Sequence, residues 1–273
     1  MNTASAYTSL LKNKRAVIFG AGGAVGTAVA KEFAAQGATV FLSGRAHNDV
    51  EQVVNEITKD GGVAYAAGVD ALDEQAVDAY LDRVAQEAGR IDILLNTMGP
   101  QAKDYGNGTS ILELSLEQFL LPLTTMVPSQ FITARSAARH MVQQHSGVIM
   151  FVTSTPALGL APNVTAIGTT FGAMEALLRG LAADLGPAGV RVVGVRSGGM
   201  VDTRNIQQTF ENVARMLGIS KAQVESQFAQ RTLLKSIPTV ADTAKVAAFL
   251  ASDGARTLTG AILNASSGAA IDR

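Results

Sequence analysis

Glycines crowd one short stretch of the sequence, which runs from Phe19 to Gly26 as FGAGGAVG. It lies between a short apolar run and a segment with helical spacing. Glycines let a chain turn sharply and let backbone N–H groups approach a pyrophosphate, and the N-terminus of the following helix offers further unpaired N–H groups. An ordinary tight turn is the alternative. We predict that this loop binds the phosphates of a dinucleotide through Gly20, Gly22, Gly23, Ala24, Val25 and Gly26.

The end of the second apolar run indicates which dinucleotide the chain prefers. An acid there would bind a ribose 2′-hydroxyl, whereas an arginine would bind a 2′-phosphate. The run Thr39–Ser43 is followed by Gly44 and Arg45, and no acid occurs before Asp49. We therefore predict that Arg45 binds the 2′-phosphate of NADP and that NADPH binds more tightly than NADH. The alternative for Arg45 is a solvated position in a loop.

The composition excludes several classes of protein and site. With 22 Lys+Arg against 23 Asp+Glu, the net charge of −1 supplies no field to hold a nucleic acid. The chain has no Cys and only three His, so neither disulfides nor thiolate or poly-His metal sites are expected. No run reaches the ~20 apolar residues of a membrane span, and the N-terminus lacks the apolar core of a signal peptide. We expect a cytoplasmic protein without a metal, nucleic-acid or membrane partner.

Short β-rich runs alternate with helical segments along the chain. The predicted strands are Arg15–Gly20, Thr39–Ser43, Val63–Val69, Ile91–Asn96, Gly147–Thr153, Val190–Arg196 and Gly260–Asn264. The predicted helices are Ala24–Gln36, Asp49–Asp60, Glu74–Ala88, a stretch ending near His145 that Pro122 and Pro128 break, Ala166–Leu185 and Ala241–Ser252. This alternation predicts an α/β fold, a Rossmann-type doubly wound parallel β-sheet with helices on both faces.

The sequence contains no linker, repeat or low-complexity segment, so residues 1–273 are predicted to form a single dinucleotide-binding domain. Residues 203–236 are polar and helical and contain no strand pattern. We predict that they form a helical lid over the substrate. Its apolar side chains are expected to face inward: Phe210, Met216, Leu217 and Phe228.

Several segments in order resemble the short-chain dehydrogenase/reductase family, from about Arg15 to Ile271. Gly20–Gly26 resembles its TGxxxGxG loop, and Gly89–Gly99 (GRIDILLNTMG) resembles its GRIDVLVNNAG strand. Gly189–Thr203 is similar to its nicotinamide-binding PGxxxT segment, and its sequence is closest to that of the enoyl-reductase branch. The resemblance implies that further residues contact the cofactor: Asp70, Asn96, Gly99, Ser197, Gly198 and Thr203.

The family's chemistry uses a Tyr that transfers a proton, a Lys four residues later, a Ser that polarises the carbonyl, and a helix Asn. The resemblance sets the Ser at Ser154 and the Asn near Met126, but it sets the Tyr at Ile167 and the Lys at Phe171. Neither Ile nor Phe can carry a proton. The resemblance therefore implies an atypical site with one apolar wall, which suits an apolar or aromatic substrate.

The loop after the fourth strand contains the nearest candidates for a substitute proton donor. In a doubly wound sheet, ligands bind beyond the carboxyl ends of the strands, so Lys103 and Tyr105 are expected at the edge of the site. We hypothesise that Tyr105 or Lys103 supplies the proton and that Ser154, assisted by Ser197 or Thr155, polarises a carbonyl. The alternatives are solvated loop residues and, for Ser154, a hydroxyl bonded to the backbone at a strand end.

These features favour an NADP(H)-dependent oxidoreductase that acts on a carbonyl or activated C=C bond of a small molecule through a non-standard proton relay. One alternative is a catalytically silent nucleotide-binding protein, such as a sensor or an assembly partner. Another is a lyase or isomerase built on the same cleft. In the family the long helices pack against their copies, and small residues in Ala134–His140 and Gly172–Leu185 permit such contact. The resemblance thus implies a homo-oligomer, a tetramer or dimer.

Overall fold

A parallel sheet forms the centre of the computed structural model, which describes residues 9–159 and 161–271. Its seven strands lie in the order β3-β2-β1-β4-β5-β6-β7. Their bounds are β1 Arg15–Phe19, β2 Thr39–Gly44, β3 Val63–Gly68, β4 Ile93–Asn96, β5 Gly147–Ser154, β6 Val190–Ser197 and β7 Ile262–Ala265. The predicted Rossmann-type sheet is confirmed. Of the predicted domain 1–273, residues 1–8, 160 and 272–273 lie outside the described residues.

Helices cover both faces of the sheet. Within the described residues they are α1 Ala24–Ala35, α2 His47–Lys59, α3 Glu74–Ala88, α4 Leu116–Gln144, α5 Thr165–Leu185, α6 Arg204–Leu217, α7 Lys221–Arg231 and α8 Val240–Ala251. On one face, α1, α2 and α8 bury apolar side chains such as Phe33 and Leu250 against the strands. On the other face, α3, α4 and α5 contribute residues such as Leu81, Met141 and Leu178. None of these helices is long and apolar enough to span a membrane.

The order of the strands reverses beside β1, which determines where a ligand can bind. β1 pairs with β2 on one side and with β4 on the other, so the chain builds the sheet outward in both directions from this point. The loops after β1 and β4 therefore leave toward opposite faces and open a crevice at the carboxyl edge of the sheet. The cofactor-binding residues predicted from the sequence lie at the carboxyl ends of these strands, in the loops that follow them, or in the first turn of α1.

The helix α4 crosses two prolines without interruption, so the predicted break at Pro122 and Pro128 is wrong: the helix runs for 29 residues. An interior proline removes one backbone hydrogen bond and crowds the preceding turn, which costs about 3 kcal/mol. A capping box between Ser115 and Gln118 fixes the first turn. Beyond the prolines, the segment Ser129–Met141 is largely buried in the core. Tertiary packing thus outweighs the local cost.

The predicted lid segment forms α6 and α7, which pack on each other rather than on the sheet. Phe210 is buried, and its ring lies 5.0 Å from that of Phe228, as measured between centroids. The prediction that Met216 and Leu217 face inward is wrong, because these side chains are 77% and 56% exposed. They occupy the last turn of α6.

The strand β3 forms one edge of the sheet, and within the described residues it pairs only with β2. Its side chains alternate between partly covered and open positions, and Val63 and Tyr65 are about half exposed. The ring of Tyr65 stacks on that of Phe41 in β2 at 5.1 Å between centroids. This edge strand contains neither a proline nor a charged residue.

Candidate active site

The glycine loop after β1 is packed so closely that side chains would not fit. Gly20 adopts a positive φ of 73°, and a Cβ there would lie 2.7 Å from the backbone nitrogen of Met98. A Cβ at Gly26 would collide with the carbonyl oxygen of Gly20. The hydroxyl of Thr97 donates to the carbonyl oxygen of Phe19 at 3.1 Å and so ties the loop to the end of β4. The loop therefore lies at the crevice where the order of strands reverses.

Among the described residues, neither the N-cap nor the first turn of α1 supplies a side chain that would compete with a phosphate. Its N-cap, Gly23, has no side chain to bond the first N–H groups, and no acid lies in the first turn. Gly22, Gly23 and Ala24 are exposed, whereas Val25 is half-buried and Gly26 is buried. Unpaired N–H groups at the positive end of a helix dipole, reached through a loop without side chains, fit the pyrophosphate of a dinucleotide.

The residues predicted to bind the adenosine half follow β2 and β3 at the same edge. Arg45 comes directly after β2, is exposed, and forms no ion pair with any residue in the described part of the chain. The nearest acid in sequence, Asp49, lies against Gly22: a Cβ on that glycine would be 3.0 Å from the Cβ of Asp49. Asp70 is half-buried, and its Oδ1 accepts from the N–H of Leu72 at 3.0 Å. Arg45 is thus an exposed cation at this end without an ion pair among the described residues.

The polar side-chain atoms of Asn96, at the end of β4, form hydrogen bonds within the protein. Its Nδ2 donates to Ser129 Oγ at 3.3 Å and to Thr133 Oγ1 at 3.2 Å, and its Oδ1 accepts from the N–H of Met98 at 2.9 Å. The side chain of Gln130 donates to the carbonyl of Asn96 at 2.7 Å. Asn96 therefore anchors the strand end to α4 and shapes the turn that leads to Gly99.

The serines at the ends of β5 and β6 are cross-bonded. The hydroxyl of Ser154 donates to the carbonyl oxygen of Ser197 at 3.1 Å, and the hydroxyl of Ser197 donates to the carbonyl oxygen of Thr153 at 3.3 Å. The loop after β6 passes through Gly198 to Thr203, the N-cap of α6, whose hydroxyl donates to the carbonyl of Met200 at 2.8 Å. Ser154 thus forms the hydrogen bond to the backbone that was the alternative to its catalytic role. It lies at the edge of the sheet that contains the predicted cofactor-binding residues.

Tyr105 packs into a small apolar cluster with the side chains that stand where the family has its Tyr and Lys. Tyr105 and Ile167 are both 7% exposed, and Phe171 and Met126 pack against them. The Tyr105 hydroxyl has no hydrogen-bond partner among the described residues, and burial raises the pKa of this side chain to about 12. Lys103, two residues earlier, is exposed at the rim. The fold therefore brings Tyr105, but not Lys103, into contact with this wall.

A buried ion pair behind the site was not predicted from the sequence. Glu175 of α5 and Arg196 of β6 form it, and the hydroxyl of Thr153 donates to the same carboxylate at 2.9 Å. The available signal was the pair of arginines, Arg191 and Arg196, in a strand that is otherwise largely apolar, together with a glutamate in a helix rich in small residues. No group of three or more His, Asp or Glu residues able to hold a metal occurs in the described part of the chain.

The comparisons with known proteins agree with this geometry over nearly the whole chain. Residues 20–270 match the family model described as Enoyl-(Acyl carrier protein) reductase. The 7alpha-hydroxysteroid dehydrogenase of Escherichia coli (strain K12) is 30% identical over 258 residues, which cover 94% of this chain and 94% of that protein. The meso-2,3-butanediol dehydrogenase of Serratia marcescens is 30% identical over 257 residues, again 94% of each.

A solved structure shares the fold as well. The structure of an NAD+-bound xylitol dehydrogenase aligns with a TM-score of 0.85 and 27% identity, and it covers 93% of this chain and 98% of that chain. The glycine loop, the strand order and these similarities lead to one assignment: the chain belongs to the short-chain dehydrogenase/reductase family.

Proposed function

We propose that this protein is an NADP(H)-dependent oxidoreductase that acts on a carbonyl or activated C=C bond of a small apolar or aromatic substrate. The observation that carries the proposal is the burial of Tyr105 in one apolar cluster with Ile167, against which Phe171 packs, since a tyrosine thereby lies beside the positions where the family's Tyr and Lys are replaced. The relatives named above are dehydrogenases of a hydroxysteroid, a diol and a sugar alcohol, which supports chemistry on an alcohol and carbonyl pair.

The cofactor is proposed to lie along the carboxyl edge of the sheet. Gly20, Gly22, Gly23, Ala24, Val25 and Gly26 would hold the pyrophosphate; Arg45 and Asp70 would hold the adenosine half; Asn96, Gly99, Ser197, Gly198 and Thr203 would line the nicotinamide half. Once bound, the nicotinamide supplies the hydride. The exposed guanidinium of Arg45 supports a preference for the 2′-phosphate, because a planar guanidinium matches phosphate oxygens.

The protein's own part in a reduction is proposed to be the delivery of one proton to the substrate oxygen. Tyr105 holds that proton across the physiological range, since burial raises its pKa to about 12. The hydroxyl of Ser154 can turn to a substrate carbonyl only by releasing the carbonyl oxygen of Ser197. Lys103 is the second candidate donor and would act from the solvent side of the loop. The apolar wall of Ile167 and Phe171 excludes water from the reacting atoms.

Nucleotide titration and turnover together test the proposal. We expect calorimetry to show NADPH binding about tenfold or more tightly than NADH, and Arg45→Gln to remove most of that preference, since charge-assisted contacts to phosphate are worth about 1.5–3 kcal/mol. Arg256→Gln, at an exposed arginine beyond α8, is the matched control and should leave the ratio unchanged. Equal affinities for the two nucleotides in the unaltered protein would contradict the preference for NADP.

Turnover is then followed by the oxidation of NADPH with a panel of ketones, quinones and enones. Consumption of NADPH with at least one class supports the oxidoreductase. Binding without any turnover supports the second candidate, a silent nucleotide-binding protein. The observation that favours this candidate is the hydrogen bond of Ser154 to the backbone beside two apolar residues, Ile167 and Phe171. Absence of nucleotide binding would contradict both candidates.

We also propose that the protein forms a homo-oligomer through α5. Of the two segments rich in small residues, Ala134–His140 buries its alanines within the chain, and its Arg135, Arg139 and His140 pair with acids of α3. The helix α5 instead turns Ala176, Gly180 and Ala183 outward. A face of small residues lets two helices approach closely, which supports contact with a second copy there.

A further inference from the structure

Two opposite charges are buried directly behind the candidate site. Glu175 and Arg196 are each 5% exposed. The Nε of Arg196 donates to Oε1 of Glu175 at 2.8 Å, its Nη2 donates to Oε2 at 2.7 Å, and Thr153 Oγ1 donates to Oε1 at 2.9 Å. The guanidinium thus contacts the carboxylate with two parallel bonds, and both carboxylate oxygens are satisfied.

Such a pair adds little to stability compared with an apolar replacement. Removing two charges from water carries a large penalty, and well-packed apolar residues of similar volume are often equally stable or more so. Removal of only one partner, by contrast, leaves an uncompensated buried charge. What this pair contributes beyond packing is therefore a defined geometry between the elements that it joins.

The elements it joins are the two sides of the nicotinamide-binding region. Arg196 directly precedes Ser197 and the loop to Thr203, whereas Glu175 lies one helical turn after Phe171 in α5. Thr153 directly precedes Ser154, so the third donor ties in the end of β5 as well. The pair consequently fixes how far the apolar wall of α5 stands from the loop that follows β6.

We propose that Glu175 and Arg196 are positioning residues that set the width of the slot for the nicotinamide half of the cofactor; this rests on the proposed function. Ile167 and Phe171 offer no hydrogen bond to the nicotinamide ribose. Shape alone must then hold this half of the cofactor on that side. A slot that works by shape requires a rigid supporting shell, which the two-pronged ion pair supplies.

The test compares two ligands that differ only in the nicotinamide half. NADPH and 2′-phospho-ADP, which lacks both the nicotinamide ring and its ribose, are titrated by calorimetry into the full chain, and the melting temperature is recorded for every variant. We expect Glu175→Gln to weaken the binding of NADPH about ten- to a hundredfold, since small misplacements at a site are that costly, and to change the affinity for 2′-phospho-ADP less than about twofold. The double variant Glu175→Leu/Arg196→Met should melt near the unaltered protein yet still bind NADPH weakly.

Controls separate a positioning role from a structural one. Arg191→Met removes an arginine at the other end of β6, which bonds the carbonyl oxygens of Leu250, Ser252 and Leu258, and should lower the melting temperature without changing the ratio of the two affinities. Arg196→Lys keeps the charge but loses the two-pronged contact. Arg196→Lys should weaken the binding of NADPH but not that of the second ligand. It therefore tests the inference equally well if Glu175→Gln does not fold.

Equal weakening of both ligands, or recovery of NADPH affinity in the apolar double variant, would overturn the inference. In either case the unaltered protein would still bind NADPH, so the proposed function would stand. Failure of the unaltered protein to bind either ligand would contradict the proposed function and this inference together.

Discussion

At the scale of single residues, Tyr105 combines a protonated hydroxyl with a place in the apolar cluster that contains Ile167. We predict that Tyr105→Phe lowers kcat about 10²–10⁴-fold, the usual contribution of general acid catalysis, with little change in the affinity for NADPH. Stopped-flow measurement of NADPH oxidation checks this. The matched control is Tyr80→Phe, which removes a hydroxyl from another buried tyrosine, one that packs edge-on against Phe19 at 5.7 Å. It should leave kcat unchanged.

If Tyr105→Phe and Lys103→Ala both leave turnover unaltered, neither residue is the donor. A loss with Lys103→Ala alone would assign the role to the exposed lysine.

The raised pKa of Tyr105 also predicts a pH profile. Burial disfavours the phenolate, so the pKa rises from 10.0 to about 12, and the hydroxyl keeps its proton at every lower pH. We predict that the rate of NADPH-driven reduction shows no fall from loss of this proton between about pH 7 and pH 10. A fall in kcat with a midpoint near neutral pH, present in the unaltered protein and absent from Tyr105→Phe, would contradict the raised pKa of Tyr105.

Sequence patterns predicted the positions of the polar candidates at this scale but not their partners. The glycine loop and Arg45 are local signals, because backbone turns and strand ends depend on residues that are neighbours in the sequence. The hydrogen bond from Ser154 to the Ser197 carbonyl joins two strands, and the pair of Glu175 with Arg196 joins a helix to a strand. Such contacts depend on which elements become neighbours, and no spacing along the chain contains that information.

At the scale of elements, the junction of β1 with α1 depends on the absence of a side chain at Gly26. We predict that Gly26→Ala weakens the binding of NADPH about tenfold or more and lowers the free energy of unfolding by about 1–3 kcal/mol. The reason is that the added Cβ would force the carbonyl of Gly20 to move. Calorimetric titration and chemical denaturation measure the two effects.

Gly186→Ala is the matched control for this prediction. Gly186 has an ordinary helical φ of −55°, and no atom lies within 4 Å of where its Cβ would be. This variant should leave both quantities nearly unchanged. Equal NADPH affinities for Gly26→Ala and the unaltered protein would show that the loop does not form the phosphate site.

Element types were predictable where the local pattern and the tertiary environment agree. The apolar runs of β1, β4, β5 and β6 are buried on both faces, so composition alone indicates them. The helix α4 shows the opposite case, because local chemistry at Pro122 and Pro128 predicts a break that long-range packing prevents. The outward position of Met216 and Leu217 is a similar failure.

At the scale of the whole molecule, the proposed contact with a second copy lies on the outward face of α5, which presents Ala176, Gly180 and Ala183. We predict that the unaltered protein has the mass of a dimer or tetramer in light scattering and that Gly180→Glu reduces this mass. A Cβ at Gly180 meets no atom within 4 Å, so the substitution is expected to leave the fold of a single chain intact. A glutamate there would meet its own copy across a two-fold axis, and the two charges would repel.

The control adds the same charge to the opposite side of the sheet. Gln52→Glu lies on the exposed face of α2 and should leave the mass unchanged. A monomeric mass for the unaltered protein would contradict the oligomer, and an unchanged mass for Gly180→Glu would exclude this face of α5 as the contact.

The open edge of β3 bears on how the protein behaves at high concentration. An edge strand without proline or charge exposes a row of unpaired N–H and C=O groups, to which any extended segment can add. Val63 and Tyr65 add apolar surface beside that row. Colloidal instability on concentration or storage would therefore begin at this strand, and a lysine in place of Tyr65 is the substitution most suited to improving solubility without touching the nucleotide crevice.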